Sequence, residues 1–149
     1  MTERVWASRT LAADELREME PSAGCFVCDR DNSQGLGIRF YTDGQAAYGE
    51  YTPPQVYQGY DGVVHGGILA TLLDEVMAKG LAVHGIDGVT GKLEIRFRKP
   101  VPTGVKLLLK GWVKSQRRAS FVVAGEIRGE NGETMVEAEG IFFGKASER

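Results

Sequence analysis

A single apolar run, HGGILATLLDEVMAKGL over residues 65–81, contains a histidine, two glycines and a carboxylate that could act together. Its apolar residues follow helical spacing, and their stripe is wide enough to predict a helix covered on several sides. Glu75 lies four residues before Lys79, which predicts an ordinary exposed ion pair. Asp74 has small neighbours and no cation one turn away. Such a carboxylate is either solvated through a cleft or placed for a ligand, so Asp74 is a candidate catalytic residue.

The residues that open this helix are candidates for the same site. Gly66 and Gly67 allow a ligand to approach the backbone closely, and the first N–H groups of a helix have no partner within it. These donors lie at the positive end of the helix dipole and suit an anion or an oxyanion. A tight turn would need the same glycines. His65 at a helix entrance is more often a capping or packing residue than a catalyst.

Length and composition predict one soluble domain. A chain of 149 residues can bury roughly 68 to 70% of its unfolded surface without a metal or disulfide. No stretch approaches the ~18 apolar residues of a membrane helix, and the first residues lack the apolar core of a secretory signal. We therefore expect a cytoplasmic protein with no membrane span. A net charge of −2 carries no signature of nucleic-acid binding.

Cys25 and Cys28 form a CxxC motif. One such pair cannot complete a tetrahedral zinc site, and His65 and His84 do not have zinc-finger spacing relative to it. No predicted strand leads into the motif as a thioredoxin-like redox site requires. We expect structural thiols, no metal and no cofactor. A redox role and a zinc site shared between subunits are the alternatives.

Basic residues are concentrated in one part of the chain. Between residues 92 and 118 there are nine, against the single acid Glu94, whereas residues 1–20 and 119–149 carry most of the acids. Regularly alternating lysines are typical of the outer face of strands. The cations near predicted strand ends could instead meet phosphates; they are Arg98, Lys99, Arg117 and Arg118.

Around the helix the sequence predicts an antiparallel sheet. Residues 11–19 have the pattern of a short amphipathic helix that ends before Pro21. Period-two alternation and turn residues predict strands at 36–40, 46–51, 93–97, 105–113, 121–127 and 134–143. Long consecutive strands with short turns favour antiparallel pairing, and one apolar helix against such a sheet gives an α+β domain.

Three segments together resemble a known family: VVHGGILATLLDE, TGKLEIRFRKPVPTG and EAEGIFF. They are similar to segments of the hotdog-fold acyl-CoA thioesterases of the PaaI-like superfamily, and GCFVCDRDNSQGLGIRF resembles an N-terminal signature found in a subset of them. The resemblance covers roughly residues 24–143. It implies an N-terminal extension over 1–23 and a hotdog domain over 24–149, in which an antiparallel sheet wraps a long central helix. It also implies a homodimer, or a dimer of dimers, with active sites at the subunit interface.

The resemblance also assigns roles to the candidate residues. Asp74 would be the nucleophile or the general base that activates water. His65, Gly66 and Gly67 would line the thioester, with glycine N–H groups polarising its carbonyl. Thr90, which opens the next strand, would help to place the attacking water. The implied function is hydrolysis of a fatty or aryl acyl-CoA to the free acid and CoA, with the clustered cations binding CoA phosphates.

Gln58 is a further substrate-binding candidate. Relatives often carry an Asn or Gln shortly before the HGG, and here the nearest amide lies seven residues before His65. Two other functions would use many of the same features. A hotdog dehydratase or hydratase would need a helix acid and a histidine, but the chain has no HFP-type segment. A non-catalytic acyl-CoA-binding hotdog protein would keep the pocket, although it would have no need of Asp74. The sequence contains no GxSxG, HExxH or Walker motif.

Overall fold

A computed structural model describes residues 16–148 of the chain. It contains one long helix, α1 (Gly66–Ala82), and a short 3-10 helix (Gln55–Tyr57). The strands are β1 (Arg17–Glu18), β2 (Phe40–Thr42), β3 (Ala47–Tyr51), β4 (Ile86–Phe97), β5 (Leu107–Arg117), β6 (Ser120–Arg128) and β7 (Thr134–Ala146). They form one antiparallel sheet in the order β1-β2-β3-β5-β6-β7-β4. The predicted α+β class is confirmed.

The largest differences from the predicted elements lie near the N-terminus. Residues 11–15 of the predicted helix at 11–19 lie outside the described residues. Arg17 and Glu18 form a strand that pairs with β2, so the prediction of a helix as far as residue 19 is wrong. The strand predicted at 36–40 begins only at Phe40. Before it, the N–H of Ile38 donates to the Val27 carbonyl, which ties this segment to the CxxC loop.

Helix α1 forms the centre of the core. Its buried apolar side chains are each at most 3% exposed, and burial of one such side chain stabilises the fold by about 1.5 to 3 kcal/mol. They are Leu69, Leu72, Leu73, Val76, Met77 and Leu81. This pattern confirms a helix covered on several sides. Among residues 16–148, no helix is long and apolar enough to cross a membrane.

A row of small residues across the sheet lets α1 approach it closely. An ideal Cβ on Gly111 would fall on the carbonyl oxygen of Val76, and one on Gly125 would lie 2.7 Å from Cγ of Met77. The helix therefore rests on the sheet backbone itself, which fixes its height above the strands. This small-residue row consists of Ala47, Gly111, Gly125 and Ala138, aligned on β3, β5, β6 and β7.

Strand β4 carries a bulge that changes which residues face the helix. Its register with β7 shifts between Thr90 and Lys92. Before the bulge, Thr90 lies opposite the core residue Phe142; after it, Leu93 lies opposite Gly140 and packs against the core. Residues directly opposite one another share a face of the sheet. The bulge thus places Thr90 and Leu93, three residues apart, on the helix side.

Candidate active site

The centre of the candidate site is a contact between α1 and β4. Thr90 Oγ1 donates a hydrogen bond to Asp74 Oδ1 at 2.5 Å. Asp74 is half-buried in the middle of α1, and the bulge turns Thr90 towards it. The threonine hydroxyl orients the carboxylate, and its own lone pairs can accept a hydrogen bond from water. The structure thus brings together two of the residues selected from the sequence.

Asp74 and Thr90 line a cavity of about 890 Å³. Its walls come from α1, the start of β4 and the N-terminal segment, and they include Cys25, Glu75 and Val83. This volume lies within the range of about 300 to 1,000 Å³ that small-molecule sites occupy. The carboxylate therefore faces a space large enough for a substrate and water.

The start of the helix is capped by a side chain. His65 is the N-cap residue, and its Nδ1 accepts a hydrogen bond from the Gly67 N–H at 2.8 Å. The capping interpretation of His65 is confirmed. The Gly67 N–H is already used by this cap. The Gly66 N–H has no acceptor among residues 16–148, so it is the donor available to a ligand.

Asp74 and the helix start belong to two separate cavities. Gly66 precedes Asp74 by eight residues, which is about 12 Å along a helix axis. His65 and Gly66 line a second cavity, of about 690 Å³, beside Phe97. One thioester carbonyl cannot contact both groups within a single chain.

Gln58 has a local contact in the loop before α1. Its Oε1 accepts a hydrogen bond from the Gly62 N–H at 2.9 Å, and its backbone forms an isolated bridge with Val64. The next residue of the loop, Gly59, packs against His65. Gln58 therefore shapes the loop that positions the helix cap.

The cations selected from the sequence lie at opposite ends of β4. Arg98 and Lys99 follow the end of β4 and line the second cavity. Arg117 is the last residue of β5 and pairs with Ser120 of β6. Ser120 pairs with Phe143 of β7, which pairs with Val89 near the start of β4. Arg118 lies in the turn after β5. The structure therefore does not bring the two pairs together within one chain.

Strand β7 and the turn before it supply acids that compensate part of the basic excess. Arg98 donates to Glu137 at 2.5 Å, and this hydrogen bond holds the pKa of the Glu137 carboxyl below its usual value. Lys99 forms an ion pair with Glu133. No ion pair of Arg117 or Arg118 occurs in the part of the chain that the structure describes. A phosphate that binds at Arg98 and Lys99 must compete with carboxylates already in place.

The CxxC motif lies against α1, next to the candidate site. Cys25 Sγ is 3.6 Å from Oε2 of Glu75, fifty residues away in sequence. Both thiols are free, and burial raises the pKa of the Cys28 thiol to about 11, so at neutral pH it is a protonated thiol and a poor nucleophile. Sequence reasoning missed this contact, because no spacing rule relates the motif to the helix.

The environment of Glu75 also differs from the prediction. Nζ of Lys79 lies 3.9 Å from Oε2 of Glu75, but the two side chains are only 6% and 16% exposed. The prediction of an ordinary exposed pair is wrong. Lys79 is held further by the carbonyl of Glu20, at 3.3 Å, and by the ring of Phe40. These contacts come from the N-terminal segment at Glu20 and from β2 at Phe40, which cover this face of the helix.

Comparisons with known proteins confirm the predicted hotdog architecture. A model of the thioesterase superfamily matches residues 61–136. A solved thioesterase superfamily protein is 34% identical over 76% of this chain, with a TM-score of 0.71, and this chain spans only 56% of its length. The PaaI protein from the phenylacetic acid degradation operon of E. coli is 24% identical, covers 75% of this chain and 82% of its own, and has a TM-score of 0.68. No curated protein matches the chain.

A third similar structure is a hypothetical thioesterase from Streptococcus pneumoniae TIGR4, solved with coenzyme A. It is 25% identical over 70% of this chain and 85% of its own, with a TM-score of 0.67. Two further structures are variants of that protein in which an aspartate or a threonine is replaced by alanine. The two replaced residues lie sixteen positions apart.

Proposed function

Because this chain belongs to the thioesterase superfamily, we propose that it hydrolyses the thioester of a fatty or aryl acyl-CoA to the free acid and CoA. The hydrogen bond between Thr90 and Asp74, at the wall of a substrate-sized cavity, carries the proposal. These two residues are sixteen positions apart, the same spacing as the aspartate and threonine replaced in the Streptococcus pneumoniae protein.

The chemistry requires activation of water and stabilisation of an oxyanion. Asp74 accepts a proton from water as the water oxygen attacks the thioester carbonyl carbon, or the carboxylate attacks the carbon directly. In the first route the carbon–sulfur bond then breaks, and the proton passes from Asp74 to the sulfur of CoA. In the second route the acyl group forms a mixed anhydride with Asp74 as CoA leaves and takes a proton from solvent, and water then hydrolyses the anhydride to release the acid and restore the carboxylate. A backbone N–H such as that of Gly66 stabilises the developing oxyanion, and one such donor contributes about 2.7 to 4 kcal/mol in comparable sites.

A second copy of the chain would supply the missing half of this site. Within the described residues, β4 pairs only with β7, so its other edge is open to another strand. If β4 pairs antiparallel with its copy about Glu94, with Gly91 bulged out of this pairing as well, Thr90 lies opposite Phe97 of the second copy. The ring of Phe97 lies beside Gly66. Such a dimer brings the helix start of one chain to Asp74 of the other.

We expect the purified protein to be a dimer or a dimer of dimers. Light scattering should give two or four times the 16.3 kDa of one chain. Specific activity should fall when dilution dissociates the dimer, because Asp74 then loses the oxyanion donor. A monomer with full activity would contradict the shared site.

The activity is tested with a panel of fatty and aryl acyl-CoA thioesters. We expect release of free thiol above the background rate, without a change in enoyl absorbance. A change in enoyl absorbance without thiol release would indicate a hydratase or dehydratase. Saturable binding of acyl-CoA with no release by any thioester would indicate a binding protein.

The cations are proposed to recognise the phosphates of CoA. Replacement of Arg98 and Lys99, or of Arg117 and Arg118, by Ala should raise KM for acyl-CoA. Turnover of a short pantetheine thioester, which lacks the nucleotide phosphates, should change little. The effect should be modest because the phosphates compete with Glu137 and Glu133 and exposed charges are screened beyond ~8 Å. Unchanged acyl-CoA kinetics in both double variants would assign these residues to an ordinary solvated surface.

A further inference from the structure

Three side chains with metal-binding atoms meet beside the candidate active site. Sγ of Cys25, Sγ of Cys28 and a carboxylate oxygen of Glu75 all lie within 4.8 Å of one another. The two cysteines lie in the loop between β1 and β2, here called the N-terminal loop, and Glu75 lies on α1. We propose that these three side chains bind one zinc ion, with a water molecule as the fourth ligand. This site is distinct from the thioester-hydrolysing group and is complete within one chain.

The spacing of the ligand atoms suits tetrahedral zinc. Zn–S bonds of about 2.3 Å and Zn–O bonds of about 2.0 Å place neighbouring ligand atoms roughly 3.5 to 3.8 Å apart. The distance between Cys25 Sγ and Glu75 Oε2, 3.6 Å, already has this value. The rest of the cluster needs a contraction of about 1 Å at most. Two thiolates favour zinc over magnesium or calcium, which prefer oxygen ligands only.

Backbone N–H groups donate to the sulfurs of both cysteines. The N–H groups of Val27 and Cys28 both donate to Cys25 Sγ at 3.4 Å. The N–H of Ser22 donates to Cys28 Sγ at 3.4 Å. Hydrogen bonds to a sulfur favour its charged form, and a bound cation favours it far more strongly. The metal ion displaces the thiol protons when it binds, and these backbone donors then stabilise both sulfurs as its ligands.

A buried lysine completes the charge balance. A zinc ion with two thiolates and one carboxylate carries a net charge of −1. Nζ of Lys79 lies 3.9 Å from the carboxylate of Glu75, and its side chain is 6% exposed. The lysine makes the buried cluster neutral overall, which lowers the cost of removing these charges from water.

The zinc ion would fasten the N-terminal loop to the helix that carries Asp74. Cys25 and Glu75 both line the cavity that contains Asp74, so solvent can reach the fourth coordination position. A metal that binds only the folded chain stabilises it. Removal of zinc should therefore lower Tm and loosen the loop.

The test measures metal binding directly and needs no activity assay. Protein purified with reductant, loaded with Zn²⁺ and dialysed should retain one zinc per chain. Cys25→Ser with Cys28→Ser should retain almost none, and Glu75→Gln should bind zinc at least about 100-fold more weakly. Asp74→Asn is the matched control, because it removes the neighbouring carboxylate from the same cavity and should retain the full zinc content. Replacement of zinc by Co²⁺ should give a thiolate-to-cobalt charge-transfer band.

Two measurements on the unaltered chain complete the test. Bound Zn²⁺ should slow the reaction of both thiols with a disulfide reagent, and a chelator should restore the rate and lower Tm. Absence of stoichiometric zinc would overturn the proposal, as would equal zinc content in the double cysteine variant or a cobalt spectrum without a thiolate band. Because these readouts do not depend on hydrolysis, they leave the proposed thioesterase activity to its own test.

Discussion

Asp74→Asn is expected to lower the turnover of acyl-CoA by roughly 10² to 10⁴ while the protein remains folded. The amide keeps the shape of the carboxylate and can still accept the hydrogen bond from Thr90, but it cannot accept a proton from water. The loss should appear in kcat, because the carboxylate acts in the chemical step. Initial rates on a responsive acyl-CoA and the midpoint of denaturant unfolding are the two measurements.

The control for this variant is a second carboxylate at the same cavity. Asp87 also lines the cavity, but the hydroxyl of Thr90 donates to Asp74. Asp87→Asn changes the charge of the cavity equally, so its effect on turnover should be small. Equal losses in the two variants would show that general electrostatics, and not proton transfer at Asp74, supports the reaction.

Gly111→Ala should have the largest effect on stability. The added methyl group would fall on the carbonyl oxygen of Val76 and 2.6 Å from its carbon, so backbone must move against backbone. Overpacking costs about 1 to 3 kcal/mol, and occasionally more where the neighbours cannot adjust. We expect the upper end of this range or above, a large share of the roughly 5 to 15 kcal/mol that holds a domain folded.

The free energy of unfolding in denaturant measures this effect, with Gly129→Ala as the control. The nearest atom to an added Cβ at Gly129 is the sulfur of the flexible Met135 side chain, at 3.2 Å, which can move aside. A much smaller loss is therefore expected there. A loss for Gly111→Ala no greater than for Gly129→Ala would mean that α1 is not seated on the sheet as described.

The helix and most of the strands could be predicted from the sequence because each is specified locally. The apolar residues from Leu69 to Leu81 form one buried face of the helix, and the apolar residues that alternate in 93–97 form one face of a strand. Gly132 has the positive φ that a hairpin turn requires. Asp74 was also recognisable, since an isolated carboxylate in an apolar helix is unusual. These features depend on neighbours within a few residues.

The remaining features depend on contacts between distant segments. The burial of Glu75 and Lys79 is caused by the N-terminal segment, including Glu20, which covers that side of the helix. The pairing of Arg98 with Glu137 joins β4 to β7 across 39 residues. Local spacing rules see the cations of one segment and miss the acids of the next. They could not show that part of the basic cluster, including Arg98 and Lys99, is paired with acids.

Gly91 is the extra residue of the bulge in β4, and the side chains that face the helix change from even-numbered to odd-numbered positions across it. Even-numbered positions point towards the helix up to Thr90, and odd-numbered positions do so from Leu93 onwards. A chain that lacked this one residue could still bury Leu93 and Ile95, but Thr90 would turn to the outer face and lose Asp74. The number of residues between Thr90 and the buried residues that follow it in β4 is thus itself part of the candidate site. Two chains that differ only by the presence or absence of this bulge residue would share the fold and differ in chemistry.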